Sequence, residues 1–289
     1  MNGMKLDDML KAFFIEDIGD RDLTGESIFS EHEAGTFSFW AKEAGIFCGR
    51  AVIERGFRLV DETISTSVLK QDGDRVKKGE CLARITGPYR SLLAGERVIL
   101  NLAQRMSGIA TAAAAAVKET KGTRARICDT RKTVPGLRML EKYAVRTGGA
   151  FNHRNGLYDA IMLKDNHIAF AGGIKQAVTK AKQSCGHTIK IEVEIESEEQ
   201  LKEAVQAGAD IIMFDNCTPA QIEAWLPLVP AHIETEASGG IELETIRDYA
   251  LTGIGWISLG ALTHSVQALD ISARVEMKGE VLHGINWTG

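Results

Sequence analysis

The chain has 289 residues, 44% of them hydrophobic and 25% charged, and carries a net charge of −5. This length and composition describe an ordinary globular protein of one large or two modest domains, and the negative balance argues against a general nucleic-acid binder. No apolar run approaches a membrane span, and the opening MNGMKLDDML interrupts with acidic residues what a signal peptide would keep apolar. The five cysteines form no CxxC pair, and the seven histidines form no HExxH and no ladder with cysteine. Free, buried thiols in a reducing cytoplasm are expected, and a structural zinc site is not.

In chain order, residues 5–16 read as an amphipathic helix with Leu6, Met9, Leu10 and Phe13 on one side. The segment GDRDLTGESI reads as a polar loop, Thr36–Trp40 as a strand and Ala51–Val60 as a helix. Residues 69–88 hold DGD and KKG turns between short strands, a structural β-turn unit. Residues 91–118 turn helical, with Leu93, Leu100, Ala103 and Met106 as an apolar face, and a run of alanines allows close packing. Gly108 is expected to break that helix and to mark a domain boundary.

Beyond it, short apolar runs alternate with helical patterns. Strand readings fall at Arg126–Asp129, Ala160–Lys164, Ile189–Glu196, Ile211–Asp215, Ile233–Glu236 and Trp256–Leu259. Helices are expected from about Arg138 to Arg146 and at Glu198–Ala207, Ala220–Leu226 and Leu243–Leu251. This is βα-repeat spacing, which builds an open doubly wound sheet or a barrel. A GxGxxG dinucleotide fingerprint is missing. In KIEVEIE, alternation puts Glu192, Glu194 and Glu196 on one face, and a barrel would turn them toward its axis. Carboxylates there need cationic or metal partners, and Lys190 has the same parity. Asp215 ends the next strand. ASGGI (237–241) and LGALTH (259–264) then follow successive strands and read as a phosphate cradle of backbone N–H groups and helix N-termini, the alternative being that Gly239, Gly240 and Gly260 only make tight turns.

Against the acidic background, residues 129–167 crowd basic or potentially basic side chains, among them Arg131, Lys132, Arg138, Lys142, Arg146, His153, Arg154 and Lys164. Arg131, Lys132 and Lys164 sit where strands end, which suits a small ligand with several negative charges. The alternative for them is an internal ion pair with Asp129 or Asp165. Arg138, Lys142 and Arg146 recur along one helix, and a solvated helix face fits at least one of the three.

GERVILNLAQRMSGIAT, DTRKTVPGLR, KYAVRTGGAFNHR, IMLKDNHI, EVE, FDN, ASGGI and GALTHS together resemble the quinolinate phosphoribosyltransferases, also called carboxylating nicotinate-nucleotide pyrophosphorylases, over nearly the whole chain. The resemblance implies an N-terminal α/β sandwich domain (1–108), an incomplete parallel α/β barrel with its phosphate site at the C-terminal strand ends (109–269), and a tail (270–289) returning to the first domain. It implies the reaction of quinolinate with phosphoribosyl pyrophosphate to nicotinate mononucleotide, carbon dioxide and pyrophosphate, with magnesium. By the same resemblance, Arg131, His153, Arg154 and Lys164 bind quinolinate, and Lys132 lies between it and the pyrophosphate. Glu194 and Asp215 stand near magnesium and ribose, and Ser238, Gly239, Gly240, Gly260 and His264 hold the 5′-phosphate. Arg97 is donated across a homodimer or an assembly of dimers. Two rival readings are a molybdenum-transport paralogue with another substrate and a silent barrel that senses a phosphorylated metabolite. The intact cations and Glu194 weigh against both.

Overall fold

The computed structural model describes residues 1–276. Contacts divide the chain into two compact units, one of Met1–Thr111 with the segment from Val266 onward, the other Ala112–Ser265. The expected boundaries were 108/109 and 269/270.

The first unit opens with helix α1 (Gly3–Ile18), capped by the Asn2 side chain, which accepts from Lys5 N–H at 3.1 Å. It buries Leu6, Leu10 and Phe14. Helix α2 (Leu23–Ile28) lies where a loop was expected. Asp22, within the segment read as a polar loop, is the N-cap, accepting from Thr24 N–H. Strand β1 (Ala34–Ala41), strand β2 (Gly45–Ile46), helix α3 (Arg50–Val60), and strands β3 (Ser65–Val68), β4 (Arg75–Val76) and β5 (Cys81–Pro88) follow. With the returning strand β12 (Ile271–Glu276), the main antiparallel sheet runs β12-β1-β5-β3, and β2 pairs with β4. The tail thus joins this sheet as far as Glu276; residues 277–289 lie outside the described part. Phe37, Phe39 and Phe57 form an aromatic core under the sheet, with ring centroids 5.4–6.1 Å apart.

Helix α4 (Tyr89–Glu119) is one continuous helix of 31 residues, and Gly108 does not break it. A Cβ on Gly108 would meet Gln267 O at 2.1 Å and Ala268 Cα at 2.9 Å. The glycine is there so that the returning segment can press against the helix backbone. Leu93, expected on the apolar face, is exposed, and Leu92 takes its place beside Leu100, Ala103 and Met106.

The second unit alternates strand and helix: β6 (Arg126–Cys128), α5 (Arg138–Thr147), β7 (Ile161–Leu163), α6 (Asp165–Ala171), α7 (Ile174–Ser184), β8 (Ile191–Ile195), α8 (Glu198–Ala207), β9 (Ile211–Asp215), α9 (Pro219–Trp225), β10 (Glu234–Ser238), α10 (Ile246–Leu251), β11 (Trp256–Ser258) and α11 (Ala261–His264). The six strands are parallel in the order β6-β11-β10-β9-β8-β7. The barrel is incomplete: between its edge strands β6 and β7, the segment around Phe151 adds only a single bridge to Cys128. Ile191, Val193 and Ile195 are buried on the helix-facing side of β8. That leaves Glu192 and Glu194 for the axis, in register with Ile211 and Met213 of β9. All five cysteines are free thiols; Cys48, Cys128 and Cys217 are buried, Cys81 and Cys185 half-buried.

Candidate active site

A cavity of about 370 Å³ opens at the C-terminal ends of the second unit's strands, lined by the loop after β6, the connection from α5 to β7, and residues at the ends of β7 through β11. Arg131, Lys132, Arg154 and Lys164 supply four cations, and Glu194 and Asp215 two carboxylates. Strand register explains the rest of the lining. Met162 pairs with Glu192, Met213 with Glu194, Ser238 with Asp215, and Ser258 with Cys128, so all share the inward parity of the glutamates. Arg131 Nε is buried without a hydrogen-bond partner among the described residues. Burial, then the charge of Arg131, lowers the pKa of Arg154. Both signs mark a cavity built for an anion.

The cations are held from below by Asp129, the last residue before the Thr130-Arg131-Lys132 loop. Its Oδ1 accepts from Lys142 Nζ at 2.5 Å and from His153 N–H at 2.8 Å, and its Oδ2 from Asn152 Nδ2 at 2.8 Å. Lys142 Nζ also donates to His153 O at 3.0 Å. Asp129 is fully buried and Lys142 is 4% exposed. Lys142, read from sequence as one residue of a basic helix face, is therefore an internal ion partner, because α5 packs this face on the barrel end. Arg138 also turns inward, donating to Thr133 Oγ1 at 2.9 Å, while Arg146 is the exposed one of the three. Asp129 does form an internal ion pair, but with Lys142 rather than Arg131 or Lys132.

The His153 ring bridges to the barrel interior. Its Nδ1 accepts from Arg154 N–H at 2.7 Å, and its Nε2 lies 3.1 Å from Glu192 Oε2 and 3.6 Å from Glu236 Oε1. Burial opposes a charged ring, but Glu192 and then Glu236 outweigh it and raise the pKa. The Arg154 N–H counts the other way, since an imidazolium has no lone pair at Nδ1. The contact at Nδ1 fits the Nε2–H tautomer, in which Nε2 carries its proton toward Glu192. Burial, then Glu192, pushes Glu236 up to about 7.

Lys164 pairs with Glu194 at the rim. This fills the role expected of Lys190, which instead sits on the outside, 3.9 Å from Asp210. Burial raises the Glu194 pKa against the opposing pull of Lys164, and Asp215 adds to the rise. Glu196, though of inward parity, lies past the strand end and is exposed.

Models of the quinolinate phosphoribosyl transferase N-terminal and C-terminal domains match residues 22–107 and 109–274. A probable nicotinate-nucleotide pyrophosphorylase [carboxylating] of Bacillus subtilis is 55% identical, over 97% of this chain and 96% of that protein. The nicotinate-nucleotide pyrophosphorylase [carboxylating] of Rattus norvegicus is 38% identical over 84% of this chain and 82% of its own. The crystal structure of NadC from Streptococcus pyogenes superposes with a TM-score of 0.91 at 42% identity, covering 95% of this chain and 97% of that one. The chain belongs to the quinolinate phosphoribosyltransferase family.

Of the residues expected in a quinolinate phosphoribosyltransferase site, Lys132, Arg131, His153, Arg154, Lys164, Glu194, Asp215 and Ser238 line the one cavity. Gly239, Gly240 and Gly260 lie on the loops beside it, and His264 is the last residue of α11. Gly239 has φ +90°, and a Cβ there would strike Asn216 Oδ1 at 2.2 Å, so only glycine fits between the β9 and β10 loops. Gly260 packs on the Lys132 stem, where a Cβ would sit 2.9 Å from Lys132 Cδ. The helix N-termini expected behind both loops are weaker than read: α10 starts only at Ile246, and α11 has four residues. The loop amides, not long helix dipoles, are what these turns offer. Arg97 is exposed on α4 in the first unit. Sequence reading missed Thr130, Met162, Met213 and Ser258 as lining, although the parity that revealed Glu194 applies to the last three.

Proposed function

We infer that this quinolinate phosphoribosyltransferase joins quinolinate to phosphoribosyl pyrophosphate, releasing pyrophosphate and carbon dioxide and yielding nicotinate mononucleotide for NAD biosynthesis. The observation that carries this reading is the cation-lined cavity at the strand ends, in which Arg131 Nε finds no hydrogen-bond partner among the described residues. Two carboxylates on the acceptor and the phosphates of the donor supply the missing anions.

The chemistry needs position and charge more than acid–base groups. The ring nitrogen of quinolinate attacks C1 of the ribose with its own lone pair as the bond to pyrophosphate breaks. No base is required. The ribosyl carbon becomes cation-like, and Glu194 and Asp215 on adjacent strands stabilise it. The pyridinium so formed withdraws electrons, so the C2–carboxylate bond can break with its electron pair left on the ring; a proton from water then takes that place. Arg131, Arg154 and Lys164 hold the two carboxylates, with His153 as a hydrogen-bonding wall, and Lys132 spans toward the pyrophosphate. Ser238, Gly239, Gly240, Gly260 and His264 receive the 5′-phosphate.

Glu194 and Asp215 also fit magnesium. They are an all-oxygen donor set of two carboxylates beside the donor's phosphates, the arrangement this hard cation prefers. When bound, it screens the leaving pyrophosphate. The assembly we infer is a homodimer in which Arg97 of one chain completes the other's dicarboxylate site, in the cytoplasm. Among the described residues no helix is long and apolar enough to cross a membrane. The deciding experiment is product analysis with quinolinate, phosphoribosyl pyrophosphate and magnesium. Absence of nicotinate mononucleotide from a folded enzyme refutes the assignment.

A further inference from the structure

Two buried carboxylates, Glu192 and Glu236, meet the His153 ring inside the barrel, their ligand atoms all within 4.8 Å of one another. The proposed reaction gives neither a task. Keeping them is costly, since Glu236 Oε1 and the neighbouring Ser258 Oγ are buried with no hydrogen-bond partner among the described residues. A leucine would suit this interior better than an acid, so stability does not explain Glu236. A His-Glu-Glu cluster invites a metal. A metal at Nε2 would need the ring's proton on Nδ1, but Nδ1 already accepts the Arg154 N–H at 2.7 Å. The proton sits on Nε2, which is a donor facing two acceptors.

We propose that Glu192 and Glu236 are positioning residues for the dicarboxylate substrate, acting through His153. Glu192, 3.1 Å from Nε2, takes its N–H, and the Glu236 carboxyl flanks the same proton at 3.6 Å, so that together they fix the tautomer and plane of the ring. Nδ1 then anchors the Arg154 amide, and with it the point from which the Arg154 guanidinium reaches the cavity. The residue is held on every side: Asp129 takes its N–H, Lys142 its C=O, Glu192 its Nε2–H and Arg154 its Nδ1. Arg154 itself is steadied by Ala160 O, accepting from its Nη1 at 3.0 Å. This inference rests on quinolinate being the acceptor.

The test compares two double variants. Glu192→Leu/Glu236→Leu deletes both acceptors, whereas Glu192→Gln/Glu236→Gln keeps an amide oxygen at each place. The leucine pair is expected to raise the KM for quinolinate about tenfold or more, the loss of a hydrogen bond to a charged group, while the KM for phosphoribosyl pyrophosphate stays within about twofold. The glutamine pair recovers most of that loss. A parallel shift of both KM values, or an unchanged quinolinate KM in the folded leucine pair, overturns the proposal. ¹⁵N NMR of the histidine-labelled wild type above neutral pH gives a second reading that needs no variant to fold. The His153 ring must show a protonated Nε2 and a bare Nδ1, and the opposite tautomer overturns the proposal. Wild-type enzyme that makes no product from quinolinate instead sinks the substrate assignment, and the tautomer result stands apart from it.

Discussion

Lys142→Met is the most revealing single change. It leaves Asp129 buried with its main counter-charge gone, in a pair that is 4% and 0% exposed on its two sides. Breaking such a pair costs about 3–5 kcal/mol. For a unit the size of Ala112–Ser265, about 2–4 °C per kcal/mol makes the expected fall in Tm about 6–20 °C. The sign with pH can be worked out. Burial raises the Asp129 pKa despite Lys142 and the His153 and Asn152 hydrogen bonds. A raised carboxyl contributes stability that is full below its unfolded value and is lost as pH rises through the folded one. Removing Lys142 raises it further, so the deficit of Lys142→Met against wild type narrows on acidification from about pH 8 to about pH 5. Asp129→Leu/Lys142→Met removes both charges and recovers most of the Tm, because an apolar pair of similar volume avoids the desolvation cost. It does not recover function: the 152–154 segment has lost its anchor, so the quinolinate KM stays high. Thermal melts by circular dichroism across that pH range, with kinetics of the double variant, decide the matter. A Lys142→Met melt within about 2 °C of wild type, or a deficit that widens on acidification, refutes the reasoning.

Arg131→Ala is expected to weaken quinolinate binding by about 2–5 kcal/mol and donor binding far less; calorimetric titration with each substrate checks this, and equal losses contradict it. Lys164→Ala falls at the lower end of that range, because its side chain is 43% exposed and already paired with Glu194. Exhaustive chelation should abolish turnover and magnesium restore it, with Glu194→Gln and Asp215→Asn needing more metal for half-maximal rate; full activity after chelation excludes the magnesium role. Mixing Arg97→Ala chains with Lys164→Ala chains under subunit exchange should restore one working site per heterodimer. Verified heterodimers as inactive as their parents place Arg97 in its own chain's site.

The fold and the site were legible to different depths, for physical reasons. Strand alternation in KIEVEIE announced a buried helix-facing side and an acidic axis, because period two is a local property of the backbone. The strands of the second unit came out within a few residues for the same reason. What failed depended on partners distant in sequence. Gly108 looked like a helix breaker, but its reason is the segment around Gln267, more than a hundred and fifty residues away. Which of Arg138, Lys142 and Arg146 faced solvent stayed open, because helix spacing carries no sign that Asp129 waits beneath Lys142. Lys190 shared the parity of the glutamates, but at the outer end of the strand parity no longer means burial. Histidine was the deepest gap. Sequence counted His153 among potential cations, and only the Arg154 N–H on Nδ1 shows which nitrogen keeps the proton.

Four cations in one cavity repel one another, and burial, followed by the charge of Arg131, lowers the pKa of Arg154. Free side chains would relieve the repulsion by splaying into solvent, and the geometry needed to grip two carboxylates at once would be lost. The fold prevents this with acids placed one tier below. Asp129, at the base of the Arg131-Lys132 loop, accepts the His153 N–H and so fixes the backbone ahead of Arg154. Glu194 holds Lys164 at the rim, and Glu192 and Glu236 hold the ring that anchors Arg154. None of these acids neutralises a cavity arginine side chain directly within salt-bridge distance, so the guanidinium groups stay available to an incoming anion. For the two cavity arginines, charge for the proposed substrate and charge for the scaffold are thus kept on separate residues. This is why an acidic protein can present a cationic site, and why a basic cluster read from sequence alone divides, in the fold, into binding groups and supports.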